Sequence, residues 1–267
     1  MDTAEFDKMF EVEETNWWYR GRRHLVTKWV KRHFERQGRP LRILDIACAT
    51  GMSFRFLSEY GDIRGIDISE ETIRLCKTRG IDRIVRCDAM KLPFRDGSFD
   101  VVLALDALEH FPDDRLAIRE IRRIARPGAL VLVTVPAFQF LWSPHDVAYH
   151  HFRRYTRNEL GGKLREGGLQ LRKLSYYSMS VLPPVFAMRK LRKAAQKTGE
   201  QAHSDFFLKL PGPVESLFYG IMRTEIGLMD AVSLPFGVSL FCAAEPNGTA
   251  KQASALTAAR TGSSPPR

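Results

Sequence analysis

Residues 42–51 read RILDIACATG, from Arg42 to Gly51. Ile43, Leu44 and Ile46 give the first half the length and composition of one buried strand. The second half consists of small residues, and Ser53 to Tyr60 beyond it is spaced as a helix. Small side chains at such a turn let a ligand come close to the main chain, and the helix N-terminus offers it free N–H groups. The pattern repeats outward. Ile63 to Ile68 is predicted as a second strand, and Ser69 as the cap of a helix reaching Arg79, with Glu70 and Glu71 in its first turn. Arg83 to Arg86 is a short third strand, Phe99 to Leu105 a fourth broken only by Asp100, and Ala129 to Val135 a fifth. Asp113 to Arg126 is predicted helical and stopped by Pro127-Gly128. Apolar strands alternating with helices imply an α/β fold, a mostly parallel sheet with helices on both faces.

The two ends of the chain depart from this rhythm. Residues 1–39 are polar and predicted helical, interrupted by Asn16-Trp17-Trp18-Tyr19-Arg20, and are expected to form a lid over a core of residues 40–175. Thr156 to Glu166 is a helix whose Thr156 and Glu159 make a capping box, and Leu169 to Ser175 is a sixth strand. Residues 176–236 form a long insertion with Pro183-Pro184 and a basic run from Arg189 to Lys193. Its composition predicts a helical, apolar element on the acceptor side or against a membrane. Residues 237–245 supply the last core strand, and 246–267 are expected to be disordered.

Forty-one Lys and Arg against 31 Asp and Glu leave a net charge of +10. Such an excess favours anionic partners: a phosphorylated substrate, nucleic acid or an anionic membrane surface. Cys48, Cys76, Cys87 and Cys242 form no CxxC pair, which predicts buried free thiols in a reducing compartment. The first residues lack the basic and apolar regions of a secretory leader, and no run reaches the roughly 18 apolar residues of a membrane span. The expected location is cytoplasmic, and peripheral on the inner face of the membrane if the insertion binds lipid.

Three further motifs sit where ligands bind, beyond the carboxyl ends of parallel strands. Asp67, in Gly65-Ile66-Asp67-Ile68, lies 22 residues beyond Asp45, near the spacing at which an acidic residue holds a ribose diol. Asp88, in Cys87-Asp88-Ala89-Met90, is placed to accept from an exocyclic adenine amine. Leu105, Asp106 and the Glu109-His110 pair follow the fourth strand.

The ordered set DIACATG, GIDIS, CDAMKLPF, SFDVVLALDALEH and RPGALVLVTVP resembles the class I S-adenosylmethionine (SAM)-dependent methyltransferases, of the type 11-like group, over about Leu41 to Pro136. The resemblance implies a Rossmann-like fold with a seven-stranded, mostly parallel sheet and a helical insertion before the last strand. It also implies SAM as the cofactor. Asp45, Ala47, Cys48, Ala49 and Gly51 would face the methionine part, Asp67 and Ile68 the ribose, Asp88 and Ala89 the adenine, and Leu105 and Asp106 the sulfonium side. The family's first motif is Asp-x-Gly-x-Gly-x-Gly, so two of its three glycines are alanines here. Ala47 and Ala49 are expected to keep the loop's shape provided neither position requires a positive φ. A dinucleotide dehydrogenase would want G-x-G-x-x-G, and Asp45 would repel its phosphates; Asp45 suits an ammonium instead.

Methyl transfer from a sulfonium needs alignment and exclusion of water, with a base only where the acceptor loses a proton. His110, His145 and Tyr155 are the candidate catalytic residues, and His150, Arg153 and Arg154 are further donors for an oxygen-rich acceptor. The run from His145 to His151 is too compact for a standard metal site, and no metal is assigned. The expected acceptor is small or lipid-linked. An RNA methyltransferase is the alternative suggested by the charge, weakened because no RNA-binding module appears, and a non-catalytic SAM-binding scaffold is the one suggested by the two alanines.

Overall fold

The computed structural model describes residues 3–187 and 210–247. Helix α1 (Thr3–Val12) leads to α2 (Trp17–Gln37). The helical segment is interrupted between Val12 and Trp17, and the aromatic trio starts α2, because the Asn16 side chain accepts from the Trp18 N–H at 2.9 Å and caps it. There follow β1 (Leu41–Ile46), α3 (Met52–Leu57), β2 (Gly61–Asp67), α4 (Glu70–Thr78), β3 (Ile84–Arg86), β4 (Phe99–Leu105), α5 (Asp114–Ile124) and β5 (Ala125–Pro136). The second half adds α6 (Pro144–Ala148), α7 (Arg157–Glu166), β6 (Leu169–Tyr177), α8 (Gly212–Leu228) and β7 (Ser239–Pro246). The seven strands lie in the order β3-β2-β1-β4-β5-β7-β6. All neighbours are parallel except β7, which runs antiparallel to β5 and β6. This is the expected Rossmann-like sheet, with helix α8 inserted before the last strand.

The strand order reverses between β1 and β4, and that switch opens a crevice beyond their carboxyl ends. Burial explains the reading of β4: all but its last residue are buried. Its lone charge, Asp100, accepts from Arg39 at 2.7 and 3.2 Å and from the Arg42 N–H at 2.8 Å. Burial opposes the charge, yet these donors hold the Asp100 carboxyl below its ordinary value.

Three local expectations need correction. Helix α5 stops at Ile124 rather than Arg126, and the fifth strand starts at Ala125 rather than Ala129. Pro127-Gly128 therefore sits inside the strand, where the pairing slips from Phe99↔Ala125 to Val101↔Leu130, a bulge with Gly128 at φ 77°. Ser69 occupies the cap position of α4 but its hydroxyl makes no cap bond; Asp67 takes the Ser69 N–H at 2.9 Å instead. Helix α6, inside the histidine-rich run, had no expectation. The capping box of Thr156 and Glu159 forms as read. All four cysteines are free, with Cys87 half-buried. The basic run Arg189–Lys193 and the tail beyond Asn247 lie outside the described residues.

Candidate active site

The crevice widens into one cavity of about 760 Å³, ample for a cofactor-sized ligand. Ala47, Ala49, Asp67, Ile68, Asp88 and Ala89 line it where β1, β2 and β3 end. Leu105 and Asp106 line it where β4 ends, and His110, His145, Tyr149, His150, His151 and Arg154 line it beyond. Trp17, Trp18, Tyr19 and Arg22 of α2 also face it, as do Val181, Val185 and Phe218 from the insertion.

At the first end, Asp67 accepts the Ala49 N–H at 3.1 Å on one oxygen and the Ser69 N–H at 2.9 Å on the other. Each oxygen keeps a second acceptor position for a diol. Burial raises the Asp67 carboxyl from its ordinary value. Asp88 is oriented by the Met90 N–H at 2.8 Å.

Asp45 does not face the main cavity. It borders a small adjoining hollow, together with Glu13, Cys48 and Ser53, which shares Tyr19, Arg22, Ala47, Ala49 and Leu105 with the main one. Burial pushes Asp45 up to about 7, even though the Ser53 hydroxyl bonds it and Arg22 is near. Cys48 also turns from the main cavity. Its sulfur packs on Gly65, where an added Cβ would come within 2.7 Å of it, which accounts for the glycine in the Gly-Ile-Asp motif. Gly51 borders neither space; it starts α3 at φ 72° against Ile81 and Cys76.

The proviso on the two alanines fails. Ala47 has φ 55° and Ala49 has φ 48°, so both adopt the left-handed conformation that suits glycine. The loop keeps its shape nonetheless, pinned by Cys48 N–H to Ile66 at 3.0 Å and by Asp67. A non-glycine residue there costs about 1–2 kcal/mol, less the unfolded-chain entropy of about 0.4–1 kcal/mol that glycine adds. Ala47→Gly and Ala49→Gly are therefore expected to raise stability by roughly 0.5–1 kcal/mol each. Thermal melting checks this, and a lowered midpoint in both variants would contradict the strain.

Arg22 is a site residue that the sequence placed only within the lid segment of residues 1–39. Its guanidinium pairs with Asp106, whose second carboxylate oxygen is buried with no hydrogen-bond partner. Asp106 itself has φ 52°, held by its N–H on the main-chain and side-chain oxygens of Thr134, both at 2.9 Å. Glu13 ties the turn after α1 to the cofactor loop, bonding the Thr50 hydroxyl and pairing with Arg79 at 2.7 Å.

At the far end the candidates separate. His110 and His145 line the cavity, but Tyr155 does not. Tyr155 is 1% exposed and donates its hydroxyl to Asp114 at 2.8 Å, because its main chain bridges to Ala137 and turns the ring into the core. Arg153 points away, to Asp114 and the Pro112 carbonyl. Arg154 reaches the cavity, yet its guanidinium grips Asp146 at 2.8 and 2.9 Å. Burial lowers His110 to about 3, so its neutral ring is a weak proton acceptor near neutrality.

Part of the chain resembles known proteins. Residues 44–133 match the family described as "Methyltransferase domain". The chain is similar to a demethylmenaquinone methyltransferase of Staphylococcus aureus, 32% identical over 131 residues, covering 43% of this chain and 54% of that one. It is also similar to a ubiquinone biosynthesis O-methyltransferase of Pseudomonas aeruginosa, 27% identical over 200 residues, covering 64% and 85%. The chain spans about half the length, or less, of several curated relatives it matches. Among solved structures, an S-adenosylmethionine dependent methyltransferase of Mesorhizobium loti shares the fold, at TM-score 0.50 and 16% identity, covering 77% of this chain and 91% of that one. The carboxylates at the β1 and β2 ends, the orphaned Asp106 oxygen and the cavity's size suit an adenosyl sulfonium carrying an amino-acid group, and with the family match they mark residues 44–133 as a class I SAM-dependent methyltransferase domain.

Proposed function

We propose that this chain moves a methyl group from SAM to an oxygen or nitrogen of a small or lipid-linked acceptor. The observation that carries the reading is the continuity of the cavity, from the Asp67 end to the histidine end, past Asp106. When bound, the cofactor supplies a methyl group already activated by positive sulfur. Asp67 would accept the ribose hydroxyls, Asp88 the adenine amine, and Arg22 and Asp45 the carboxylate and ammonium of the amino-acid part. His145 and its neighbours would orient the acceptor, and Trp17, Trp18 and Tyr19 would exclude water. His110, with its low pKa, is better suited to positioning than to taking a proton.

Calorimetric titration with SAM and with S-adenosylhomocysteine tests this. Both are expected to bind; if neither does, the methyl-transfer reading is lost. Asp45 adds a pH dependence whose sign follows from its raised pKa of about 7. The ionised form is the one that holds an ammonium, so affinity falls as pH drops through 7. From pH 7 to 5.5 the loss should be roughly ten- to twentyfold, as the ionised fraction falls. Equal affinities at both values would remove Asp45 from the cofactor site.

The lipid-linked form of the acceptor is favoured by an apolar rim beside the histidine end. Phe140 is 62% and Phe152 and Val147 are each 57% exposed, and Phe186 lies edge-on to Phe140 at 5.9 Å. Two relatives named above also act, by their names, in quinone pathways. No helix among the described residues is long and apolar enough to cross a membrane. Flotation with anionic liposomes at low salt is expected to carry the protein upward; protein left in the lower fraction would leave only a water-soluble acceptor.

A further inference from the structure

Glu109 has no task in the reading above. Its side chain is 0% exposed, and neither carboxylate oxygen has a hydrogen-bond partner. A buried, unmet carboxyl group costs free energy that a bound partner would recover. One ligand atom each from Glu109, His110 and His151 lie within 4.8 Å of one another. The loop that brings His151 there is stapled to the turn after β4 by the Phe152 N–H, which donates to the Glu109 carbonyl at 2.8 Å. The two imidazoles meet edge-on, with centroids 4.7 Å apart.

Both rings are oriented from behind. His151 places Nδ1 2.9 Å from Asp146, which Arg154 holds in turn. His110 bonds the Tyr149 main chain. A histidine that commits one ring N–H to a carboxylate or carbonyl presents the lone pair of its other nitrogen, the usual posture of a metal-bound imidazole. All three residues line the cavity, so the cluster has an open side.

We propose that Glu109, His110 and His151 bind one divalent transition-metal cation of the zinc class, with a free coordination position facing the cavity. Two imidazoles and one carboxylate suit zinc, cobalt or ferrous iron better than magnesium or calcium, which prefer oxygen alone. Ligands held about 2.0–2.2 Å from one ion sit roughly 3–3.5 Å apart, so the side chains need draw in by only about 1 Å. The compact run from His145 to His151 does not form this site by itself. Asp146 is spent on Arg154 and His151, and the other ligands come from the turn that follows β4. An acceptor oxygen is the natural further ligand; that role rests on the methyltransfer reading, whereas cation binding does not.

The test uses the full chain, freed of any histidine tag, stripped with a chelator and titrated with Zn²⁺ against a chromophoric competitor. Co²⁺ absorption reports the coordination. One equivalent of either ion is expected to bind, with visible cobalt bands. Glu109→Gln and His151→Gln should each weaken Zn²⁺ binding roughly tenfold or more, with circular dichroism and S-adenosylhomocysteine binding retained. Should Glu109→Gln fail to fold, His110→Asn serves the same comparison. A wild-type chain that takes no stoichiometric ion, or folded variants that bind Zn²⁺ as well as wild type, would overturn the site. A chain that binds the ion but not S-adenosylhomocysteine would keep the cation site and defeat the methyltransferase reading, so the two failures are distinguishable.

Discussion

Asp146→Ala is expected to destabilise the protein by roughly 3–5 kcal/mol, the range for removing one partner of a buried ion pair. Asp146 is 0% exposed, and it accepts from Arg154 twice, from the His151 ring and from the Ser143 N–H at 2.8 Å. Burial works against its charge, yet His151 and Arg154 hold its carboxyl well below the ordinary carboxylate range. Truncation would strand the Arg154 guanidinium, 7% exposed, with the Ala137 carbonyl at 3.1 Å among the partners left to it. It would also release the His151 ring and the start of α6. For a chain of this size the melting temperature should fall by roughly 6–20 °C. Asp146→Asn should lose less, since the amide oxygen can still accept one of these bonds. A melting point within a degree or two of wild type for the alanine variant would show that the network is dispensable. The depressed pKa has a sign: the contribution is complete above the ordinary carboxylate range and is lost only as the pH falls well below it.

Asp67→Ala is expected to weaken SAM binding by roughly 1–3 kcal/mol, the loss on removing a buried charged hydrogen-bond partner. The side chain does two things that alanine cannot. It fixes the Ala49 N–H, at 3.1 Å, and thereby the loop carrying the two left-handed alanines, and it keeps acceptor positions toward the cavity. Asp67→Asn separates the two, since one amide oxygen can still meet a loop N–H but the paired acceptors are gone. Calorimetry should place the asparagine variant between wild type and alanine. Unchanged affinity in both variants would mean that the ribose lies elsewhere.

The strands and their order of appearance were legible because each is a short apolar run with its own punctuation. The same holds for the helix opened by Thr156 and Glu159. The cofactor end was legible for a related reason: its residues sit at strand ends, within a few positions of small-residue turns. What escaped was long-range. Nothing near Tyr155 in sequence announces that its hydroxyl meets Asp114, and nothing near Arg22 announces Asp106. Glu109 reads as an ordinary polar residue until the fold seals it away from water beside His151. The α5–β5 boundary failed because Pro127-Gly128, normally a stop signal, was absorbed as a strand bulge. The positive φ of Ala47 and Ala49 was foreshadowed only by the glycines that the family carries there.

The unbroken wall running from Asp67 to His145 has a bearing on inhibitor chemistry. Two weak fragments, one nucleoside-like and one shaped for the histidine end, could be joined by a tether that passes Asp106. Once the first fragment lodges, the second searches at a local concentration in the millimolar range, and the conjugate could gain roughly 10²–10⁴ over either half. Neither half would need a contact it does not already make.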